Sequence, residues 1–204
     1  MDLLNLFFKS VFIDNMVFAF FFGMCSYIAV SKSVKTANGL GLAVIFVMVM
    51  TVTLNYLLNR YVLSPGALSW LSPQFAEVDL SFLSFILFIA VIASFTQLVE
   101  MVVERFTPAL YNSLGIFLPL IAVNCAIMAG SLFMQQRNFP DVGHAATYAL
   151  GSGVGWWLAI IIMAALREKM SYSNVPKGLR GPGIAFVLTG LLGMAFMIFS
   201  GMQF

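Results

Sequence analysis

The chain has 204 residues, of which 61% are hydrophobic and only 9% are charged, and its mean hydropathy is +0.99. Soluble domains carry about a quarter of charged residues, so this composition excludes a soluble enzyme and indicates an integral membrane protein. The net charge of +2 comes from Lys and Arg residues in particular loops. It therefore bears on membrane orientation and gives no reason to expect nucleic-acid binding.

Six apolar segments reach the length of about 20 residues that a helix needs to cross a bilayer. The first is expected to be retained in the mature protein, because MDLLNLFFKS lacks the basic region and cleavage site of a signal peptide. The connections are short and leave no room for a soluble domain. The sequence predicts an all-α membrane protein, a single domain over 1–204, with helices at 11–30, 38–58, 80–103, 110–133, 146–166 and 183–203.

The Lys and Arg residues of the connections are unevenly distributed between the two sides. The first, third and fifth connections hold Lys32, Lys35, Arg105, Arg167, Lys169, Lys177 and Arg180, and the opposite side holds Lys9, Arg60 and Arg137. Basic residues accumulate on the cytoplasmic side of membrane proteins. This distribution predicts that both termini lie outside the cytoplasm.

The positions of helix-weakening residues predict two inverted three-helix repeats, about 1–105 and 106–204. The first helix of each repeat contains a cysteine and a residue that breaks the helix, Gly23 or Pro119. The second helix of each repeat then begins with glycines. Because three is odd, the second repeat must cross the membrane in the opposite direction, which brings the two broken helices together near the midplane.

Cys25 and Cys125 are the only cysteines, and the predicted repeats place them at corresponding positions. A cysteine in an apolar segment is often only a small buried hydrophobe, and a disulfide is disfavoured there. Packing and metal binding stay equally open as interpretations. Iron bound by sulfur normally takes four thiolates, so a metal site would require a second chain with its own pair.

Two acidic residues are candidates for a cation path. Glu100 lies inside the apolar run of the third span, where carboxylates are rare, and it shares a helix face with Gln97 and Glu104. It either lines such a path, or reaches the headgroups, or pairs with Arg105. Asp14, with the neighbouring Asn15, near the outer end of the first span, is the candidate for the opposite mouth of the path, with an interfacial position as the alternative.

Two other features are predicted to be structural. His144 is the only histidine and is expected to lie in a solvated loop. The stretch GSGVG at 151–155 lacks the spacing of a nucleotide-binding fingerprint and follows no strand, so its glycines are expected to allow close helix packing. Without a catalytic motif of a soluble enzyme, any catalytic role is expected to be the conduction of electrons or ions.

Three long stretches are similar to a known family of membrane proteins. They are GMCSYIAVSKSVKTANGLGLA, TQLVEMVVERFTPALYNSLGIFLPLIAVNCAIMAG and NVPKGLRGPGIAFVLTGLLGMAFMIFSG. The family is shared by bacterial Na⁺-translocating NADH:quinone oxidoreductases and Rnf electron-transport complexes. The stretch CSYIAVSKSVKTANG, the loop SPGALSWLSPQFAEVDLSF and the ending FSGMQF resemble the E-type branch of the sodium pump more than the A-type branch of the Rnf complex.

The resemblance implies an iron centre, a 2Fe–2S cluster or a mononuclear iron, held in the bacterial inner membrane between the E subunit and its homologue of opposite topology, the D subunit. It implies that Cys25 and Cys125 are the ligands from this chain and that Glu100 takes part in sodium uptake. The other partners are then the A, B, C and F subunits, and electrons pass from NADH through the iron centre towards ubiquinone. On this interpretation the chain belongs to a translocase and is not catalytic alone. A component of a non-redox ion transporter and a scaffold are the alternatives.

Overall fold

The computed structural model describes residues 3–63, 83–106, 118–174, 176 and 178–201, and its regular elements within these ranges are all helices. Five helical segments there are long and apolar enough to cross a membrane. They are Val34–Leu63, Ser84–Val102, Pro119–Arg137, Val142–Met170 and Pro182–Phe199. The predicted class, an all-α membrane protein, is thereby confirmed for the described part of the chain.

The first half of the chain contains α1 (Leu3–Phe8), continued as a π-helix over Lys9–Ile13, α2 (Met24–Val30), α3 (Val34–Leu58), continued as a π-helix over Asn59–Leu63, and α4 (Ser84–Phe106). The second half contains α5 (Leu118–Ala122), α6 (Cys125–Arg137), α7 (Val142–Met170) and α8 (Pro182–Ser200).

The first predicted span, 11–30, is not a continuous helix. Regular helix stops at Ile13 and resumes at Met24, and turns occupy residues 14–23. The side chain of Asn15 contributes to this, because its Oδ1 accepts hydrogen bonds from the N–H groups of Val17 (3.0 Å) and Phe18 (3.2 Å) and so competes with the helical pattern. The sequence predicts a break at Gly23, and the structure extends it over a longer segment.

The fourth predicted span is interrupted after Ala122, whereas the sequence predicts its break at Pro119. Pro119 lies within α5, and among the described residues the helix continues past it to Ala122. The interruption lies at Asn124, which has an extended backbone and whose Oδ1 accepts from the N–H of Ala126 at 3.0 Å. This asparagine N-cap begins α6 at Cys125. The predicted start of the span at 110 lies outside the described residues.

Helices α3 and α7 form the centre of the molecule and pack along each other. A Cβ atom added to Gly153 would lie 3.1 Å from Cα of Ile45, and one added to Gly151 would lie 2.9 Å from Cβ of Ser10. The glycines of GSGVG therefore allow both α3 and the N-terminal helix to approach α7. Their predicted packing role is confirmed, and they lie well inside α7 because this helix begins at Val142 and not at 146.

The start of α7 also changes the position of His144. This residue lies in the first turn of the helix, half-buried, and its N–H donates to the carbonyl of Asp141 at 3.2 Å. The prediction of a solvated loop is wrong here, because α7 already begins at Val142, directly after its N-cap Asp141.

Hydrogen bonds between segment ends define two ends of the helical bundle. At one end Nη1 of Arg167 donates to the carbonyl of Ile28 and to Oγ of Ser31, both at 2.8 Å. At the other end Nη1 of Arg60 donates to the carbonyl of Pro140 at 2.8 Å. These are called the Arg167 end and the Arg60 end below.

Candidate metal centre at two helix breaks

The breaks in the two cysteine-bearing segments lie against each other. Gly23, the residue before α2, has φ +78°, a left-handed conformation that favours glycine. A Cβ atom added to it would lie 2.8 Å from Oδ1 of Asn124 and 3.1 Å from Cβ of Ala126. The starts of α2 and α6 therefore meet, and we call Gly23, Cys25, Asn124 and Cys125 the cysteine junction.

The two thiols of the cysteine junction are neighbours. The starts of α2 and α6 meet at Gly23 and Asn124, so the side chain of Cys125 lies close to that of Cys25. Both cysteines are free and exposed on the surface of the isolated chain. The structure thus brings together two residues that are 100 positions apart in the sequence, as the sequence predicts.

Two buried hydrogen-bond donors lie behind the thiols without a partner. Trp156 is fully buried on α7, and its Nε1 lies 2.5 Å from the position that a Cβ on Gly23 would occupy. Nε1 of Trp156 and Nδ2 of Asn124 are both buried and make no hydrogen bond. Leaving such groups unpaired costs about 1–3 kcal/mol each, so the junction favours a ligand or partner that carries acceptors.

An apolar cavity of about 410 Å³ lies beside Cys125, between α4 and the α5–α6 segment. Its walls include Phe22, Ile89, Val123 and Met128. Such surroundings exclude water and strengthen electrostatic interactions of a charge placed there. Within the described ranges, no group of three or more His, Cys, Asp or Glu side chains is arranged to hold a metal ion.

Asp14 has a cationic partner in the structure. Its Oδ2 accepts a hydrogen bond from Nη2 of Arg137 at 2.7 Å, and the guanidinium of Arg137 also lies 5.0 Å from the ring centre of Tyr148. Glu100 lies half-buried on α4, while Gln97 and Glu104 on the same helix are exposed. Among the described residues no salt bridge or hydrogen bond joins Asp14 to Glu100, so the structure does not bring these two candidates together.

Two polar residues of the site, Asn124 and Trp156, were not predicted from the sequence, and only one of them carries a sequence signal. Asn124 stands directly before an apolar run, which is the usual position of a helix N-cap. Trp156 lies in the middle of an apolar helix and has no local signal, because its role depends on the approach of Gly23 from another segment.

Comparison with known proteins places the chain in a family. The sequence model described as "Rnf-Nqr subunit, membrane protein" matches residues 3–203. The chain belongs to the Rnf-Nqr subunit family. This confirms the resemblance found in the sequence.

Three relatives within the Rnf-Nqr family are named as the E subunit of a Na⁺-translocating NADH-quinone reductase. The protein of Methylococcus capsulatus is 56% identical and that of Azotobacter vinelandii is 54% identical, each over 98% of both chains. A protein of Chlamydia trachomatis is 52% identical over 100% of this chain and 83% of its own length. By these names the relatives are subunits of an enzyme complex that moves sodium.

Proposed function

We propose that this chain is the E subunit of a Na⁺-translocating NADH:ubiquinone reductase and that Cys25 and Cys125 hold an iron centre, a 2Fe–2S cluster or a mononuclear iron, together with the D subunit. The observation that carries the proposal is the meeting of two free, exposed thiols at two helix breaks. The names of the relatives, at 52–56% identity over nearly the whole chain, support the assignment to this complex.

The residues of the cysteine junction fit such a centre. Thiolates are the ligands that iron–sulfur centres use, and two of the usual four are present. Because the pair is exposed, a second protein can reach it from outside and supply the remaining two. The unpaired donors of Asn124 and Trp156 fit as well, since hydrogen bonds from outer residues adjust the properties of metal sites.

The protein groups around the thiols have defined roles in this proposal. An iron centre bound there supplies one-electron transfer. Cys125 is the first residue of α6, so its side chain lies at the positive end of the helix dipole, beside Cys25. The apolar walls beside Cys125 would strengthen the electrostatic interactions of a centre held there.

We also propose that the chain crosses the membrane six times, as two inverted repeats over about 1–105 and 106–204. In this arrangement α1 and α2 are the halves of one broken crossing and α5 and α6 are the halves of another. The ends of the bundle support this topology: α2 ends beside Arg167, whereas α6 ends near Arg60. By the distribution of basic residues, the Arg167 end faces the cytoplasm of a bacterial inner membrane and both termini face the periplasm.

Coupling to sodium follows from electrostatics. An added electron in a low-dielectric site is a negative charge whose burial is costly, and a cation that moves nearby offsets this cost. We propose that sodium movement past the two broken helices provides this compensation, with Glu100 and Asp14 as candidates for the path. Asp14 is paired with Arg137 in the present conformation, so it would contribute only after that salt bridge opens.

Replacing the cysteines tests the iron proposal. Cys25→Ser and Cys125→Ser in the whole complex should each abolish NADH-driven quinone reduction, because a hydroxyl is a poor ligand for iron compared with a thiolate. Iron and acid-labile sulfide of the purified complex should decrease by the content of one centre. Co-purification of the other subunits checks that the complex is still assembled.

Ala29→Ser is the matched control, since Ala29 is an exposed residue one turn after Cys25 on α2. This variant should keep its iron and its activity. Unchanged iron in both cysteine variants would contradict the proposal and leave the non-redox transporter or the scaffold. Association with Rnf proteins in place of the D subunit would indicate the A-type branch of the Rnf complex.

Glu100→Ala tests the sodium path. We expect about a tenfold higher sodium concentration for half-maximal stimulation of turnover, which corresponds to the loss of about 1.4 kcal/mol of sodium binding. NADH oxidation without quinone should be unaffected. Glu104→Ala, an exposed carboxylate one turn further on the same helix, is the control. If Glu100→Ala and Glu104→Ala needed the same sodium concentration for half-maximal stimulation, Glu100 would have only an interfacial role.

A further inference from the structure

A second cavity, of about 380 Å³, lies at the Arg167 end between the last turn of α7 and the start of α8. Its lining combines basic, hydroxyl and apolar side chains. They include Arg167, Arg180, Ser171, Ser173, Met170 and Ile184, and no carboxylate is among the described residues that line it. The cavity is distinct from the cysteine junction and has no role in the function proposed above.

The positive charge of this cavity is not balanced by acidic side chains. Within the described part of the chain the one salt bridge joins Arg137 to Asp14, in another part of the structure. The nearest acidic residue in sequence, Glu168, accepts a hydrogen bond from the N–H of Val34 at 2.8 Å. Two guanidinium groups around one space repel each other, and an anion between them removes this repulsion.

Arg167 is held in a fixed position for such an anion. Its Nη1 donates to the carbonyl of Ile28 and to Oγ of Ser31, both at 2.8 Å. A guanidinium group has five N–H donors in a planar fork, so these bonds orient the group and leave donors for phosphate oxygens. The cavity therefore presents a preorganised cation on one wall and the exposed Arg180 on another.

The depth of the cavity in the membrane indicates the kind of anion. α7 contains 29 residues and is therefore about 43 Å long at 1.5 Å per residue, whereas the hydrocarbon core is about 30 Å thick. The last turn of α7 thus reaches the headgroup layer. Met170 and Ile184 give the same cavity an apolar wall, which suits a molecule that has both a phosphate and an acyl chain.

We propose that this cavity binds the phosphodiester headgroup of an anionic phospholipid, such as phosphatidylglycerol or cardiolipin. Arg167 and Arg180 donate to the phosphate oxygens, the serine hydroxyls bind the rest of the headgroup, and the acyl chains lie against Met170 and Ile184. Basic pockets between membrane helices are established binding sites for such headgroups. Because Arg167 also holds the end of α2, the lipid would stabilise the helix that carries Cys25.

Lipid titration of the delipidated whole complex tests this site. Dioleoyl phosphatidylglycerol is added in detergent, and the bound fraction is measured by native mass spectrometry. Arg180→Gln should weaken the tightest binding about fivefold, and Arg167→Gln at least as much, from the usual contribution of one basic residue near anionic lipid. Lys169→Gln is the matched control, because Lys169 is an exposed basic residue of the same turn that does not line the cavity.

Arg180→Gln decides the test, since Arg180 is exposed and Arg167→Gln also removes the bonds to α2. Equal binding by wild type and Arg180→Gln would overturn the proposal. An equal loss in Lys169→Gln would show attraction by diffuse surface charge and would overturn it too. Equally tight binding of phosphatidylcholine would exclude an anion site, and full displacement by millimolar inorganic phosphate would identify a soluble phosphate as the ligand in place of a lipid.

Discussion

The α3–α7 pair and the cysteine junction use glycine in opposite ways. In the pair, two helices of 25 and 29 residues are continuous, and glycines such as Gly41 and Gly153 let them approach closely. At the junction, Gly23 adopts φ +78° as the last residue of the irregular segment, directly before α2 begins. The pair holds the bundle together, whereas the junction exposes two thiols and leaves buried donors without partners. The structural role of a glycine in an apolar segment therefore depends on its backbone conformation, which the sequence does not give.

The irregular segment 14–23, which leads into the junction, would be costly in a membrane without compensation, because each unsatisfied backbone group in hydrocarbon costs several kcal/mol. The side chain of Asn15 compensates for part of this cost. Its Nδ2 donates to the carbonyls of Val11 and Gly155, both at 3.0 Å, and its Oδ1 accepts from the N–H groups of Val17 and Phe18. One side chain thus replaces several helical hydrogen bonds and ties the broken segment to α7.

The largest effect in this comparison is expected for Gly23→Ala. The new Cβ would lie 2.5 Å from Nε1 of Trp156 and 2.8 Å from Oδ1 of Asn124, in a backbone conformation that alanine rarely adopts. Left-handed strain of about 1–2 kcal/mol adds to overpacking of about 1–3 kcal/mol. We expect a lower thermal stability of the purified complex and loss of iron from the junction.

Gly193→Ala is the control for this prediction, since its Cβ would meet only the carbonyl oxygen of Phe18, at 3.6 Å. It should keep both stability and iron. If Gly23→Ala were as stable as this control, the junction would not depend on the left-handed glycine, and the contrast with the α3–α7 pair would be lost.

Gly41→Ala is expected to cause the next largest loss of stability. This loss comes from the packing of α3 on α7 and not from the cysteine junction. Its Cβ would overlap Cδ1 of Trp157, which must move and give up its 3.0 Å hydrogen bond to Oδ1 of Asn38. Overpacking of this kind costs about 1–3 kcal/mol. Denaturant unfolding followed by tryptophan fluorescence should show the loss, while iron content stays unchanged. Gly190→Ala is the control and should not change the stability, because a Cβ there meets nothing within 4 Å. Loss of iron in Gly41→Ala would show that the α3–α7 pair and the cysteine junction are not independent.

The smallest effect is expected for Trp157→Phe, which keeps the ring over Gly41 and removes only the hydrogen bond to Asn38. This bond is exposed, so its contribution should be about 0.5–1 kcal/mol. The same unfolding measurement, with Asn38→Ala beside it, checks the value. A larger loss than in Gly41→Ala would mean that this bond, and not the close glycine contact, holds the pair.

The continuous helices among the described residues were predictable from the sequence, because such a helix satisfies the hydrogen bonds of its own backbone. α7 was expected at 146–166 and occupies Val142–Met170, since continuous apolar sequence is enough to define such a helix. The segment around Asp14 was not predictable in the same way. Its unwinding depends on the bond from Asn15 to the carbonyl of Gly155, which lies 140 residues further along the chain.

In the candidate site, too, local features were predictable from the sequence and contacts between distant segments were not. The pairing of Cys25 with Cys125 was expected from the repeated order of break and cysteine, although one break was assigned to Pro119 and lies at Asn124. The unpaired donor of Trp156 had no signal, because a fully buried indole in an apolar helix looks the same whether or not its N–H has a partner. The salt bridge between Asp14 and Arg137 was missed because its partners belong to different segments.

The membrane class, the positions of the continuous helices and the presence of only two thiols can be read from the sequence, because hydropathy, helix length and residue counts are local properties. The contact between Gly23 and Asn124, the exposure of the thiols and the cavity shared by Arg167 and Arg180 are visible in the folded chain alone. These facts depend on how separate helices approach one another. Such approach is governed by side-chain packing and by hydrogen bonds across long sequence distances, which no local pattern contains.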